Sequence, residues 1–302
     1  MSNWTREDMP ELSGRTVVVT GANSGLGLEA TRAFARKGAH VVMACRNVES
    51  AEDAREEIRE EVPGASLTVE ALDLADLDSV RAFAETAIDL GRIDVLCNNA
   101  GVMAIPRSET ADGFETQFGV NHLGHFALTG LLLDSLRAAP DPRVVTQSSG
   151  IHTNGRIDFE DLHGTDDYDK WGAYAQSKLA NLLFAYELDR RYDELTSVGC
   201  HPGYAATNLQ RRGPEQEGSR LKLAAMAVAN RIFAQSAEAG ALPMLYAATA
   251  EDVEGGDYVG PGGLMNMRGA PETQRSSKRS YDEDTAERLW SVSEELTGVS
   301  YD

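Results

Sequence analysis

The sequence predicts an α/β fold, a doubly wound parallel sheet of about seven strands with helices on both faces. Three observations predict it. Apolar, β-branched runs alternate with helix-period segments along most of the 302 residues. The runs are continuously apolar rather than alternating, as strands covered on both faces must be. A glycine-rich turn joins the first run to the first helix. In order, 16–20 (TVVVT) reads as a buried strand and 26–37 as its helix. Strand 40–45 follows, then a charged helix over 50–61 whose Ser50 and Asp53 suggest a capping box. Strand 67–72 leads into helix 77–90, and strand 93–97 into a long helix over 111–137. Strands 143–148 and 197–201 flank a helix through Tyr174 and Leu188. The stretch 202–218 is polar and loop-like, and 221–233 is an apolar helix candidate. Both fall within an insertion, 202–235, inside one domain spanning 1–302; no solenoid-length repeat suggests otherwise.

Composition narrows the function. The net charge of −20 repels phosphate, so nucleic acid is not an expected partner. The first residues, MSNWTREDMPELSG, lack the apolar core of a signal peptide, and no apolar run reaches the ~18 residues of a membrane span. A cytoplasmic location is expected. Cys45, Cys97 and Cys200 are far apart and lack CxxC spacing, so neither a metal site nor a disulfide framework is expected. Five lysines beside 48 acids resemble the composition of halophilic proteins. Unscreened carboxylates would then destabilise the fold in dilute buffer.

After the first strand comes Thr20-Gly21-Ala22-Asn23-Ser24-Gly25-Leu26-Gly27. Glycines allow the tight turn and close approach of a pyrophosphate, and the next helix offers free N–H groups and a positive dipole end. Gly21, Asn23, Ser24, Gly25, Leu26 and Gly27 are therefore candidates to hold a dinucleotide, in a Rossmann fold. The second strand ends in Cys45-Arg46, where an NAD site normally places an acid. Arg46 suits a 2′-phosphate, which points to NADP, with NAD the alternative. The competing role for Arg46 is an ion pair with Glu49.

Further motifs continue in order: Asp73-Leu74, Asn98-Asn99-Ala100-Gly101, Asn121-His122, Ser148-Ser149, Tyr174-Ala175-Gln176-Ser177-Lys178, and Pro202-Gly203 with Thr207. The ordered set, over residues 14 to about 210, resembles the short-chain dehydrogenase/reductase family. The segments ACRN (44–47), NHLGHF (121–126), SSGIH (148–152) and SKLAN (177–181) resemble its retinol-dehydrogenase-like branch. So does the insertion 155–170, which sets Ser149 and Tyr174 25 positions apart (174 − 149). The chain departs from that branch in lacking the N-terminal anchor several such enzymes carry.

The resemblance implies hydride transfer between nicotinamide and a carbonyl or alcohol. It assigns Tyr174 as acid–base, Lys178 as its partner and a ribose ligand, and Ser149 as the holder of the substrate oxygen. Asn121 would hold a water linking Lys178 to solvent. Asp73, Leu74, Asn98, Ala100 and Gly101 would face the adenosine side, and Pro202, Gly203 and Thr207 the carboxamide. Four residues apart on a helix, Tyr174 and Lys178 share a face. Bringing a phenol with pKa near ~10 to neutrality takes about 4 kcal/mol. An ammonium ~4 Å away supplies about 4 kcal/mol at an effective dielectric of 20.

The apolar face of 221–233 (Leu221, Leu223, Met226, Val228, Ile232, Phe233) lies where the family places a substrate lid, and suggests a bulky apolar small-molecule substrate. Packing on the domain itself or on a partner subunit suits the same face. Family habit implies a dimer or tetramer with the helices around Asn121 and Tyr174 in the interface. Two other functions share the fold. A sugar-nucleotide epimerase or dehydratase is disfavoured by the glycine spacing at 21, 25 and 27; a non-catalytic NADP-binding regulator is disfavoured by the intact Asn121, Ser149, Tyr174 and Lys178 set.

Overall fold

Val17, Val18 and Val19 have no exposed surface. Successive side chains on a strand point to opposite faces, and both faces here are covered. Val18 joins one apolar cluster, Val17 and Val19 the other. The computed structural model describes residues 4–203, 236–263 and 266–301. Its strands are β1 (Thr16–Thr20), β2 (His40–Cys45), β3 (Ser66–Ala71), β4 (Val95–Asn98), β5 (Arg143–Gln147), β6 (Thr196–Cys200), β7 (Tyr258–Pro261) and β8 (Pro271–Gln274). They form one sheet in the order β3-β2-β1-β4-β5-β6-β7-β8. The first seven run parallel, and β8 pairs antiparallel with β7. This eighth strand exceeds the expected number. Four residues beginning with proline carry no apolar run by which to find it, and an edge is where such a strand is tolerated.

The helices are α1 (Gly25–Arg36), α2 (Val48–Glu61), α3 (Leu77–Asp89), α4 (Thr116–Phe118), α5 (Gly124–Leu131), α6 (Leu133–Arg137), α7 (Lys170–Arg191), α8 (Ala237–Thr249) and α9 (Glu283–Thr297). α1, α2 and α8 pack with Val17 and Val19; α3, α5, α7 and α9 pack with Val18. Between β1 and β4 the winding reverses, which leaves a crevice at the carboxyl ends of the strands. The site forms there.

Three expectations are corrected. α2 is capped by Asn47, whose side chain accepts from the Ser50 amide at 3.0 Å. The Ser50 hydroxyl instead accepts from Asn23 Nδ2. The helix expected over 111–137 is broken. Gly113 is left-handed (φ 84°), so residues before Glu115 turn. The Glu115 carboxylate then caps α4, and a π turn over Gly119–Leu123 leads into α5. Finally, the helices expected in a subunit interface are covered by the chain's own C-terminal segment. Tyr174 to Leu188 are all buried, with Leu289 and Trp290 of α9 in the same cluster as Phe126 and Leu188.

Candidate active site

The crevice is floored by the turn after β1. Gly21 and Gly25 have positive φ (67° and 56°), which L side chains rarely adopt. A Cβ on Gly27 would lie 2.3 Å from Gly21 O and 2.7 Å from Asn99 Nδ2, so only glycine lets α1 begin this close to the strand. Gly21, Asn23, Ser24, Gly25, Leu26, Gly27, Arg46, Asp73, Leu74, Ala100 and Gly101 all line the cleft. A dinucleotide fits this cradle: bare backbone amides at the α1 N-terminus face a pyrophosphate, and Arg46 stands at the adenosine end. Among the described residues Arg46 forms no ion pair, with Glu49 or any other acid. Asp73 does not cap α3; Asp76 does, accepting from Asp78 N and Ser79 N. Asp73 Oδ1 takes the Ala75 amide.

Asn98 does not line the cleft as expected. Ending β4 with its side chain turned inward, it is fully buried and donates to Thr129 Oγ1 at 3.0 Å. Its neighbour Asn99 faces the cleft instead and ties the two loops together through Nδ2 to Thr20 O at 2.7 Å. Strand alternation explains the swap, since adjacent side chains point oppositely. Asn47, Val102, Thr116 and Val120 also line the cleft and were not anticipated; only Asn47, inside ACRN, had a signal near it. Pro202 and Gly203 follow β6; a Cβ on Gly203 would lie 2.4 Å from Met267 O, so the loop is clamped on the far edge. Thr207 and the proposed lid, 221–233, lie outside the described residues.

Beyond the cleft's lining, Ser149 follows β5 and Tyr174 and Lys178 lie on α7. The Ser149 side chain stands near enough to the Tyr174 phenol to oppose the rise in its pKa. Ser148 is excluded from that role, because its hydroxyl donates to Lys178 O at 2.7 Å. Lys178 Nζ donates to Gln147 O at 3.1 Å, lies 5.9 Å from the Tyr174 ring centre, and would be 3.6 Å from a Cβ on Gly101. One ammonium donor is thus used, and Lys178 abuts the cleft. The ordering depends on the 155–170 strap: Gln176 of α7 accepts the Asp158 amide and donates to Leu162 O.

Burial acts on both members of the pair. Tyr174 is buried, and desolvation pushes it up to about 12, the Ser149 side chain opposing only in part. Burial also brings Lys178 down to about 8. Withdrawal from water disfavours both charged forms, so the phenol stays protonated at neutral pH. The Asn121 side chain is held by the chain around it. Its Oδ1 accepts from Val102 N at 2.8 Å, and its Nδ2 donates to Val102 O and Ser177 Oγ, both at 2.9 Å. Its backbone carbonyl accepts from His125 Nδ1 at 3.1 Å. That carbonyl can only accept, so the ring proton is on Nδ1, and Thr20 Oγ1 donates to His125 Nε2 at 2.9 Å. Asn121 therefore braces the floor beneath Lys178.

Known proteins match this arrangement. A sequence profile described as short chain dehydrogenase matches residues 15–218. Retinol dehydrogenase 13 of Homo sapiens is 42% identical over 294 residues, 95% of this chain and 86% of its own. An uncharacterised protein from Mycobacterium paratuberculosis, solved by crystallography, is 42% identical, with both chains covered at 100% and a TM-score of 0.82. A short-chain dehydrogenase from Escherichia coli, complexed with NADPH, is 25% identical with a TM-score of 0.62, covering 82% of this chain and 96% of its own.

Proposed function

The chain belongs to the short-chain dehydrogenase family and is an oxidoreductase acting on CH–OH/C=O with a nicotinamide cofactor; from that premise we propose that it is an NADPH-dependent reductase of bulky apolar carbonyls. The buried Tyr174 phenol carries the proposal: Ser149 acts on it, and Lys178, 5.9 Å from its ring centre, abuts Gly101 of the glycine-lined cleft. A phenol raised to about 12 is a proton donor at neutral pH, which favours reduction. NADPH, held by the glycine turn and Arg46, would supply the hydride. Ser149 holds the carbonyl oxygen, stabilising charge as the C=O bond opens. Tyr174 gives its proton to that oxygen, so an alcohol forms and a phenolate remains. Lys178 stabilises the phenolate until it is reprotonated.

Arg46 supports NADP, as does the NADPH-bound relative. For the substrate, Trp171 is 47% exposed at the start of α7 and meets Tyr174 edge-on at 6.4 Å, an apolar wall beside the reacting group. A relative named for retinol fits that character. A cytoplasmic location belongs to the same proposal: Cys45, Cys97 and Cys200 are free, buried thiols. Among the described residues no helix is long and apolar enough to cross a membrane.

The test follows NADPH absorbance against a panel of aldehydes and ketones, with Tyr174→Phe as the control. Loss of one general acid is expected to lower kcat by roughly 10²–10⁴ with NADPH binding intact. Turnover within tenfold of wild type would remove Tyr174 from the mechanism.

A further inference from the structure

Ser149 begins a short 3-10 turn, Gly150–Asn154, and the histidine in that turn is held at both ring nitrogens. His152 Nδ1 is 2.7 Å from Ser149 O, and Nε2 accepts from the Ser277 backbone amide at 3.1 Å. A carbonyl only accepts and an amide only donates, so these two partners fix a neutral ring with its proton on Nδ1. His152 is 2% exposed, so no water competes for either position. The Tyr258 ring stands edge-on to it at 5.3 Å, and the same ring stacks on His201 at 5.1 Å. His201 Nδ1 accepts from Gly203 N at 3.2 Å, which leaves its Nε2 proton facing Gln274 Oε1 at 3.4 Å. The β7–β8 edge and the segment after it thus grip both loops that border the reaction space.

We propose that His152 is a positioning residue for Ser149: its neutral Nδ1–H tautomer, set by Ser277, anchors the Ser149 carbonyl and so aims the hydroxyl at Tyr174. This rests on Ser149 acting as proposed above. A backbone carbonyl held by both the His152 amide (3.0 Å) and its ring fixes the extended Ser149 backbone from which the hydroxyl projects. A protonated ring would turn Nε2–H against the Ser277 N–H, which breaks the anchor. The groups facing His152 are Tyr258 on β7, His201 after β6, and the backbones of Ser149 and Ser277. Arg279 is nearby but donates to Gly155 O. Burial already holds the ring below the ordinary histidine range.

The experiment compares kcat, KM, NADPH affinity and melting temperature in Ser149→Ala, His152→Gln, His152→Leu and the double variant S149A/H152L. His152→Leu is expected to lower kcat about tenfold, the worth of one net hydrogen bond, with NADPH affinity unchanged. His152→Gln, which keeps a donor and an acceptor, recovers most of that loss. In the Ser149→Ala background His152→Leu costs nothing further, because it acts only through the hydroxyl. Wild-type kcat in His152→Leu, an equal loss in the Ser149→Ala background, or no recovery in His152→Gln would each overturn the proposal. Full turnover in Ser149→Ala would instead overturn the role of Ser149 itself.

Discussion

Arg46 stands exposed at the end of β2, lining the cleft with no ion pair among the described residues. Its guanidinium is available for a 2′-phosphate, and one charge-assisted contact is worth ~1.5–3 kcal/mol. Arg46→Ser should therefore lower the NADPH-over-NADH ratio of kcat/KM by roughly ten- to a hundredfold, with kcat at saturating NADPH unchanged; an unchanged ratio would show that the phosphate is held elsewhere. Lys178 gives a second prediction. Its ammonium, brought down to about 8 by burial, is present below that pH and lost above it. Carbonyl reduction should hold between neutrality and pH 8, then decline, in a stopped-flow pH series. Both residues are legible from sequence by motif and offset. What is not legible is which of two adjacent asparagines faces the site: Asn99 over Asn98 follows from the direction of strand side chains.

Elements carry the next scale. The α9 helix lies against α5 and α7, with Trp290 stacked at 5.8 Å on Phe184 and T-shaped at 5.2 Å to Phe126. The Arg191 guanidinium covers its other face at 4.5 Å. Trp290→Ala should cost about 3–5 kcal/mol as a core cavity, a fall of roughly 5–8 °C in melting temperature by the entropy of unfolding of a chain this long. A shift under a few degrees would mean that α9 is not integral to the core. The 3.6-residue and continuous-apolar periods made most of these elements readable. The π turn at Gly119–Leu123, the antiparallel β8 and the Asn47 cap were not, because each is set by what packs on it rather than by a local pattern.

At the scale of the whole molecule, a net charge of −20 spread over 302 residues opposes compaction. Melting temperature should rise from dilute buffer to molar KCl as the carboxylates are screened; a flat curve would dismiss the salt-adapted character inferred from composition. Acidification works the other way through the histidines. Burial brings His122 to about 3 and His125 and His201 to about 4. Their pKa values are depressed in the folded state, so the unfolded chain binds more protons below its own value near ~6.5. Stability from these groups is thus complete above ~6.5 and lost as pH falls toward 4, by about 1.4 kcal/mol per histidine per pH unit. Calorimetry between pH 7 and 4.5 should show a steep decline, lessened in His122→Asn, where a neutral side chain replaces one titrating ring.

By itself the sequence determined the fold class, the glycine-rich turn after the first strand and the absence of an acid at the end of the second. Each of these is a local signal, carried by period, spacing or residue type. Tertiary structure alone decided the burial of Tyr174, the bracing of Asn121 and His152, and the covering of α7 by α9. The physical reason is one: desolvation and hydrogen-bond direction depend on neighbours brought from far along the chain, and no local pattern records who those neighbours are.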